Sequence, residues 1–176
     1  RVSRSWEKAG ALPSGKTLVV AAPGNLPPPS KRGDVFRQAA VKALDTLSRN
    51  PNGFFLMIEG SNIDKAAHSN NLEEMMEELL DFDRTAGAVL DWASKHPGTL
   101  VVITADHNTG AFALTGGSRE QGEITGRFGS GSHDGVAVPV YAFGAGSGDF
   151  TGIYENTDIF NKIMNALKKG ADKPVR

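Results

Sequence analysis

Apolar residues gather into four short runs along the chain: TLVVAA (17–22), FFLMI (54–58), TLVVIT (99–104) and VPVYAF (138–143). Each is rich in β-branched or aromatic residues and lacks the alternation of a strand with one wet face, which predicts strands in a sheet covered on both sides. Between them the spacing becomes helical. Residues 34–48 place Val35, Phe36, Ala39, Leu44 and Leu47 on an approximate stripe behind Asp34, a candidate N-cap. Residues 72–95 place Leu72, Met75, Met76, Leu79, Leu80, Val89, Leu90 and Trp92 among charges, and His96, Pro97 and Gly98 end that pattern. A last helix over 156–168 carries Ile159, Phe160, Ile163, Met164 and Leu167. Strands alternating with helices predict an α/β domain with a mostly parallel sheet flanked by helices. Two stretches break the pattern. Residues 23–30 hold four of the nine prolines and read as a rigid loop. Residues 110–135 are rich in Gly, Ser and Thr without apolar periodicity, a length at which loops are more often functional than filler.

With 176 residues, the chain fits one domain with a sizeable core. Its 19 Lys plus Arg nearly cancel 20 Asp plus Glu, so no global charge draws it to nucleic acid or to an anionic membrane. No apolar run approaches the roughly 18 residues of a membrane helix, and RVSRSWEKAG lacks the apolar centre of a signal peptide. Neither nucleic acid nor membrane is expected as a partner. The start at Arg1 is what a processed protein or a piece of a longer one would show. Cysteine is absent, so any metal site must use His and carboxylate ligands.

Three segments offer such ligands. EGSNIDKAAH follows the FFLMI run, with Glu59 at the strand end and Asp64 and His68 related as i and i+4; on a helical turn those two share a face. TADHNTG follows TLVVIT and sets Asp106 and His107 at the carboxyl end of a strand, where ligands bind in parallel α/β sheets. GSHDG places His133 at the end of the Gly-rich stretch. Taken singly, each also reads as a cap, a solvated strand end or a turn residue. His96, by contrast, reads as purely structural. Together the six groups form a nitrogen and oxygen set suited to zinc, with carboxylate left for magnesium or another hard cation. Six groups can hold more than one ion, and paired divalent ions stabilise both the attacking and leaving oxygens of phosphoryl transfer, which points to a phosphate ester.

GFFLMIEGSNIDKAAH, then TLVVITADHNTG, then a glycine-flanked His before VPVYAFG closely resemble the C-terminal half of bacterial alkaline phosphatases. The similarity runs from about Asn52 to Leu167 and includes FTGIYENTDIFNKIM, whereas residues 1–33 match loosely. The resemblance implies one domain over 1–176, part of a three-layer α/β/α sandwich, with 110–135 as an active-site loop. It implies Asp64, His68 and His133 as ligands of a first zinc ion, Asp106 and His107 of a second, and Glu59 of a magnesium ion. Lys65 falls where a basic side chain can help hold phosphate, a secondary role. The implied reaction is hydrolysis of phosphate monoesters through a phosphoserine, in a periplasmic or secreted enzyme.

The sequence departs from that pattern in what is missing. It contains no Asp-Ser pair, and the family's serine, its zinc-bridging aspartate and its clamping arginine lie upstream of the matching segment. Arg84, Arg119 and Arg127 do not stand in for that arginine. Asn108 and Thr109 replace a histidine-containing variant of some members. The expectation is a chain that supplies most metal ligands, is inactive alone, and pairs with a second copy or with the absent N-terminal half. A related phosphodiesterase, phosphoglycerate mutase or sulfatase, or a non-catalytic zinc-binding domain, would share parts of the same pattern.

Overall fold

The computed structural model describes residues 2–9 and 15–171; segment 1–33, the loosely matching part, therefore lies partly outside the described residues. In chain order the elements are β1 (Val2–Ser3), α1 (Trp6–Ala9), β2 (Leu18–Val19), α2 (Pro29–Arg32), α3 (Val35–Leu47), α4 (Ser61–His68), α5 (Leu72–Ser94), β3 (Leu100–Thr104), β4 (Asn108–Thr109), β5 (Ala113–Ser118), β6 (Glu123–Arg127), β7 (His133–Asp134), β8 (Val140–Gly144), a 3₁₀ turn (Ser147–Phe150) and α6 (Asp158–Ala171). Helices and strands both form, as an α/β domain requires. The expected parallel sheet is only partly there. Among the described residues the one parallel ladder is β1 with β2, and β3–β8, β4–β7 and β5–β6 pair antiparallel.

FFLMI accounts for much of this difference. Residues 54–58 join no ladder among the described residues, although their exposure alternates as in a strand. Phe54, Leu56 and Ile58 are half-buried, with the Phe54 ring edge-on to Trp92 of α5 at 6.2 Å. Phe55 and Met57 remain 60% and 74% exposed. Tyr141 and Phe143 of β8 are exposed in the same alternating way. The runs lack alternation because they carry apolar residues for two faces, yet this chain covers only one. Accessible surface totals 12351 Å², against about 8,200 Å² for a folded monomer of this mass. About half as much surface again is thus left open.

What core there is lies between helices. Ala66 and Ala67 of α4 and Met75 of α5 are buried together, with Ile63, Leu72, Phe112 and Phe128 packed around them. Asn71 caps α5 by accepting from the Glu74 amide, an N-cap of the expected kind. Asp34 occupies the N-cap position of α3 but makes no capping bond; its carboxylate pairs with Arg37 instead. The proline-rich loop ends in α2, whose Arg32 guanidinium reaches α5, where it donates to both oxygens of Glu78 (2.8 and 2.7 Å) and to Asp81 (2.7 Å). These three side chains are almost wholly buried. Asn62 of α4 joins them, donating to Glu78 at 3.2 Å and to the Leu26 carbonyl at 3.3 Å.

The Gly-rich stretch is not a bare loop. It folds back as the β5–β6 hairpin, with a register shift between Leu114 and Gly116. Gly117, at φ +140°, explains the pairing: a Cβ there would lie 2.3 Å from the Glu123 carbonyl oxygen. Glycine is what lets the two strands close at the irregularity.

Candidate metal centre

α4 carries Asp64 and His68 one turn apart, and its buried face of Ala66 and Ala67 turns that pair toward the 107–134 region. The short β4–β7 ladder then sets Thr109 opposite His133 and Asn108 opposite Asp134. Asp134 fastens this ladder. Its carboxylate accepts from Asn108 Nδ2 at 3.0 and 2.9 Å, from the Val136 amide at 3.1 Å and from the Ala111 amide at 3.0 Å. The Asn108 bonds, foremost, hold Asp134 below the usual carboxylate range.

His68 and His133 meet Nε2 to Nε2 at 3.0 Å, and Asp64 Oδ1 lies 3.5 Å from the first and 3.7 Å from the second. Four ligands about 2.0–2.1 Å from a tetrahedral zinc stand about 3.3 Å from one another. The three separations bracket that value, so the donors fit one ion. The ring orientation agrees as well. His68 Nδ1 is 2.8 Å from the Gly131 carbonyl, which can only accept, so Nδ1 donates there and the ring directs Nε2 toward His133 and Asp64.

The second predicted pair is also assembled. His107 Nε2 lies 3.2 Å from Asp106 Oδ2, and the His107 ring stacks on His133 with centroids 3.6 Å apart. Ligand atoms of Asp64, His107 and His133 all lie within 4.8 Å of one another, so Asp64 and His133 border both groups. Two of the predicted residues stand apart. Glu59 is exposed, and its carboxylate meets no partner among the described residues. Lys65 donates to Asn25 at 2.6 Å and to Asn62 at 3.4 Å, which ties it to the proline-rich loop.

Thr109 is the member that ligand-counting overlooks. Its buried hydroxyl donates to Asp64 Oδ1 at 2.6 Å and lies 3.1 Å from His107 Nδ1. A threonine is not a usual zinc ligand, so a search by residue type passes over it. Its place two residues after His107, at the end of β4, was the available signal. Gly110 then turns the chain away at φ +82°, its amide donating to the Ser132 carbonyl and its own carbonyl accepting from the Gly129 and Ser130 amides. A Cβ at that position would sit 2.9 Å from Phe128 and 3.1 Å from the Ala67 carbonyl. Gly110→Ala is therefore expected to destabilise the chain by about 1–3 kcal/mol, read as a lower urea midpoint with an unchanged slope.

Residues 25–126, the larger part of the chain, match the profile of the alkaline phosphatase family. The chain belongs to the alkaline phosphatase family. Alkaline phosphatase 4 of Bacillus subtilis is 29% identical over 76% of this chain and 44% of its own length. Streptomycin-6-phosphate phosphatase of Streptomyces griseus is 32% identical over 92% of this chain and 41% of its own. Among solved structures, alkaline phosphatase from the Antarctic bacterium TAB5 superposes with a TM-score of 0.80 at 38% identity, covering 87% of this chain and 46% of that one. The fold is accordingly that of alkaline phosphatases. This chain spans less than half the length of each of these relatives. A variant of the TAB5 enzyme has been solved with magnesium bound in a site named M3.

Proposed function

We propose that the chain forms the metal-holding part of a zinc- and magnesium-dependent phosphate monoesterase and does not complete the reaction alone. The convergence of Asp64, His68 and His133 at tetrahedral ligand spacing carries this reading. In it those three residues hold the first zinc ion, Asp106 and His107 contribute to a second, and Glu59 serves a magnesium ion. When bound, such a pair of divalent ions polarises the attacking and leaving oxygens of a phosphoryl group. Among the chain's own groups, the His68 Nδ1 bond to Gly131 orients its ring, and the Asp134 contacts hold the strand that presents His133. Lys65 lies next in sequence to Asp64, and its exposed ammonium, bonded to Asn25, would add a minor electrostatic attraction for an anionic substrate.

The nucleophile is the gap in this set. No Asp-Ser pair occurs in the chain, and the reading places the serine, the bridging aspartate and the phosphate-clamping arginine on polypeptide beyond it. Three protein ligands at the first position leave a fourth for an exchangeable oxygen, which favours a catalytic over a purely structural ion. The match over 25–126 favours an alkaline phosphatase above a phosphodiesterase, mutase or sulfatase. A periplasmic or secreted setting is part of the same reading and rests on the family resemblance alone. Among the described residues no helix is long and apolar enough to cross a membrane.

The purified chain, saturated with zinc and magnesium, is expected to retain zinc after dialysis yet hydrolyse p-nitrophenyl phosphate at the rate of buffer with the same metals. Turnover approaching that of an intact alkaline phosphatase would show that the chain carries its own nucleophile and overturn the assignment.

A further inference from the structure

The geometry points to Thr109 as a positioning residue that couples the two metal positions through a single hydroxyl. The inference rests on reading Asp64 and His107 as metal ligands. Thr109 Oγ1 has one proton and two lone pairs. At 2.6 Å from Asp64 Oδ1, a carboxylate oxygen that can only accept, the proton is committed to Asp64. Toward His107 Nδ1, at 3.1 Å, the hydroxyl oxygen is left only able to accept. Nδ1 must then carry a proton, so in a neutral His107 the lone pair lies on Nε2, the nitrogen 3.2 Å from Asp106 Oδ2, a separation at which two ligands of one ion also stand.

One directed chain of hydrogen bonds thus runs from His107 through Thr109 to Asp64. It prepares a donor nitrogen at one position and fixes the carboxylate rotamer at the other. Asp64 Oδ1 takes the Thr109 proton on one lone pair and keeps another, while Oδ2 is untouched by it. Three features of the surroundings make the arrangement rigid. Thr109 is only 8% exposed, so water competes poorly for the hydroxyl. Its backbone is paired with His133 across β4 and β7, which ties the bridging residue to a ligand of the first position. Gly110, immediately after it, is packed against Ala67 of the helix that bears Asp64. No other described side chain contacts both Asp64 and His107 by hydrogen bond.

His107 would otherwise favour the opposite tautomer, since neutral imidazole free in water carries its proton mainly on Nε2. Thr109 therefore does for His107 what the Gly131 carbonyl does for His68, but with a side chain that mutation can remove. Partners of metal-binding side chains of this kind typically govern 10–100-fold in metal affinity.

The test uses the ¹⁵N-labelled chain itself, first without metal and then titrated with zinc. Long-range ¹H–¹⁵N correlation of the imidazoles should show His107 mainly as the Nδ1–H tautomer. In Thr109→Val, which keeps the β-branched shape, His107 should turn over to mainly Nε2–H, and zinc affinity by calorimetry should fall about 10–100-fold. Thr109→Ser should restore both. A merely structural role for the residue would leave the tautomer unmoved. An Nε2–H tautomer in the parent chain, or an unchanged tautomer in Thr109→Val, overturns the inference. A correct, hydroxyl-dependent tautomer in a chain that binds no zinc would instead remove the ligand assignments and leave the positioning role standing.

Discussion

His68→Ala is expected to lower the zinc affinity of the chain by more than about 100-fold, beyond what removal of an outer partner costs. The expectation follows from the count of donors at the first position. Asp64, His68 and His133 are the three groups at ligand spacing, so loss of one leaves two protein ligands where zinc ordinarily keeps at least three. Alanine is a good helix former, and His68 is the last residue of α4, so the substitution should leave the helix intact. His96→Ala supplies the control. That ring stacks on Trp92 at 3.7 Å and bonds the Trp92 carbonyl at the end of α5, which removes a histidine without touching the centre. Calorimetric titration of zinc into the parent chain and both variants decides the matter. Equal losses in the two variants would mean that the chain binds zinc only through scattered surface histidines.

Self-association at micromolar concentration is the second large expected effect. The open surface of the chain exceeds that of a folded monomer of its mass by roughly 4,000 Å², which is the scale of an obligate interface rather than of a transient one. Part of it is apolar side chain on strand-forming backbone: Phe55 and Met57 on a run without ladder partners, Tyr141 and Phe143 on β8. Unpaired backbone beside exposed apolar side chains is what recruits another strand. Sedimentation velocity from about 1 to 100 µM should therefore resolve species heavier than the 18.6 kDa chain. The double substitution Met57→Lys, Tyr141→Lys should weaken the association at least about tenfold, since burying either charge is costly. A chain that stays monomeric throughout that range would show that these faces do not serve as an interface. In the parent protein the same faces are proposed to meet the polypeptide that bears the nucleophile.

How far the amino-acid order discloses this molecule depends on the range of the interaction concerned. The helices were legible because an apolar stripe is a local property: α3, α5 and α6 lie close to where the spacing places them. TLVVIT and VPVYAF were legible as strands, but not as antiparallel partners, because pairing direction is set by the path between them. FFLMI carried a strand's composition and still forms no ladder among the described residues, since hydrogen bonds need a neighbour that composition cannot supply. The β5–β6 hairpin was hidden for the opposite reason. ALTGGS and EITGR hold few apolar residues, so their stability comes from backbone pairing and glycine-permitted closeness rather than from a buried face. At the centre, Asp64 and His68 were legible from helical spacing, whereas the arrival of His133 depends on the β4–β7 ladder and on Asp134. Ligand chemistry grouped those segments beforehand, and the resemblance to a family divided them among separate ions.

The buried contact between Arg32, Glu78 and Asp81 bears on the behaviour of the centre in different media. Through Asn62 it grips α4, the helix that carries Asp64 and His68. Mobile ions reach such a sequestered cluster poorly and screen it little, while an exposed pair such as Asp34 with Arg37 loses its attraction within a few ångströms in concentrated salt. Helix α4 is thus riveted by charge yet indifferent to ionic strength, and brine that strips surface pairs from the molecule leaves the aim of Asp64 and His68 unchanged.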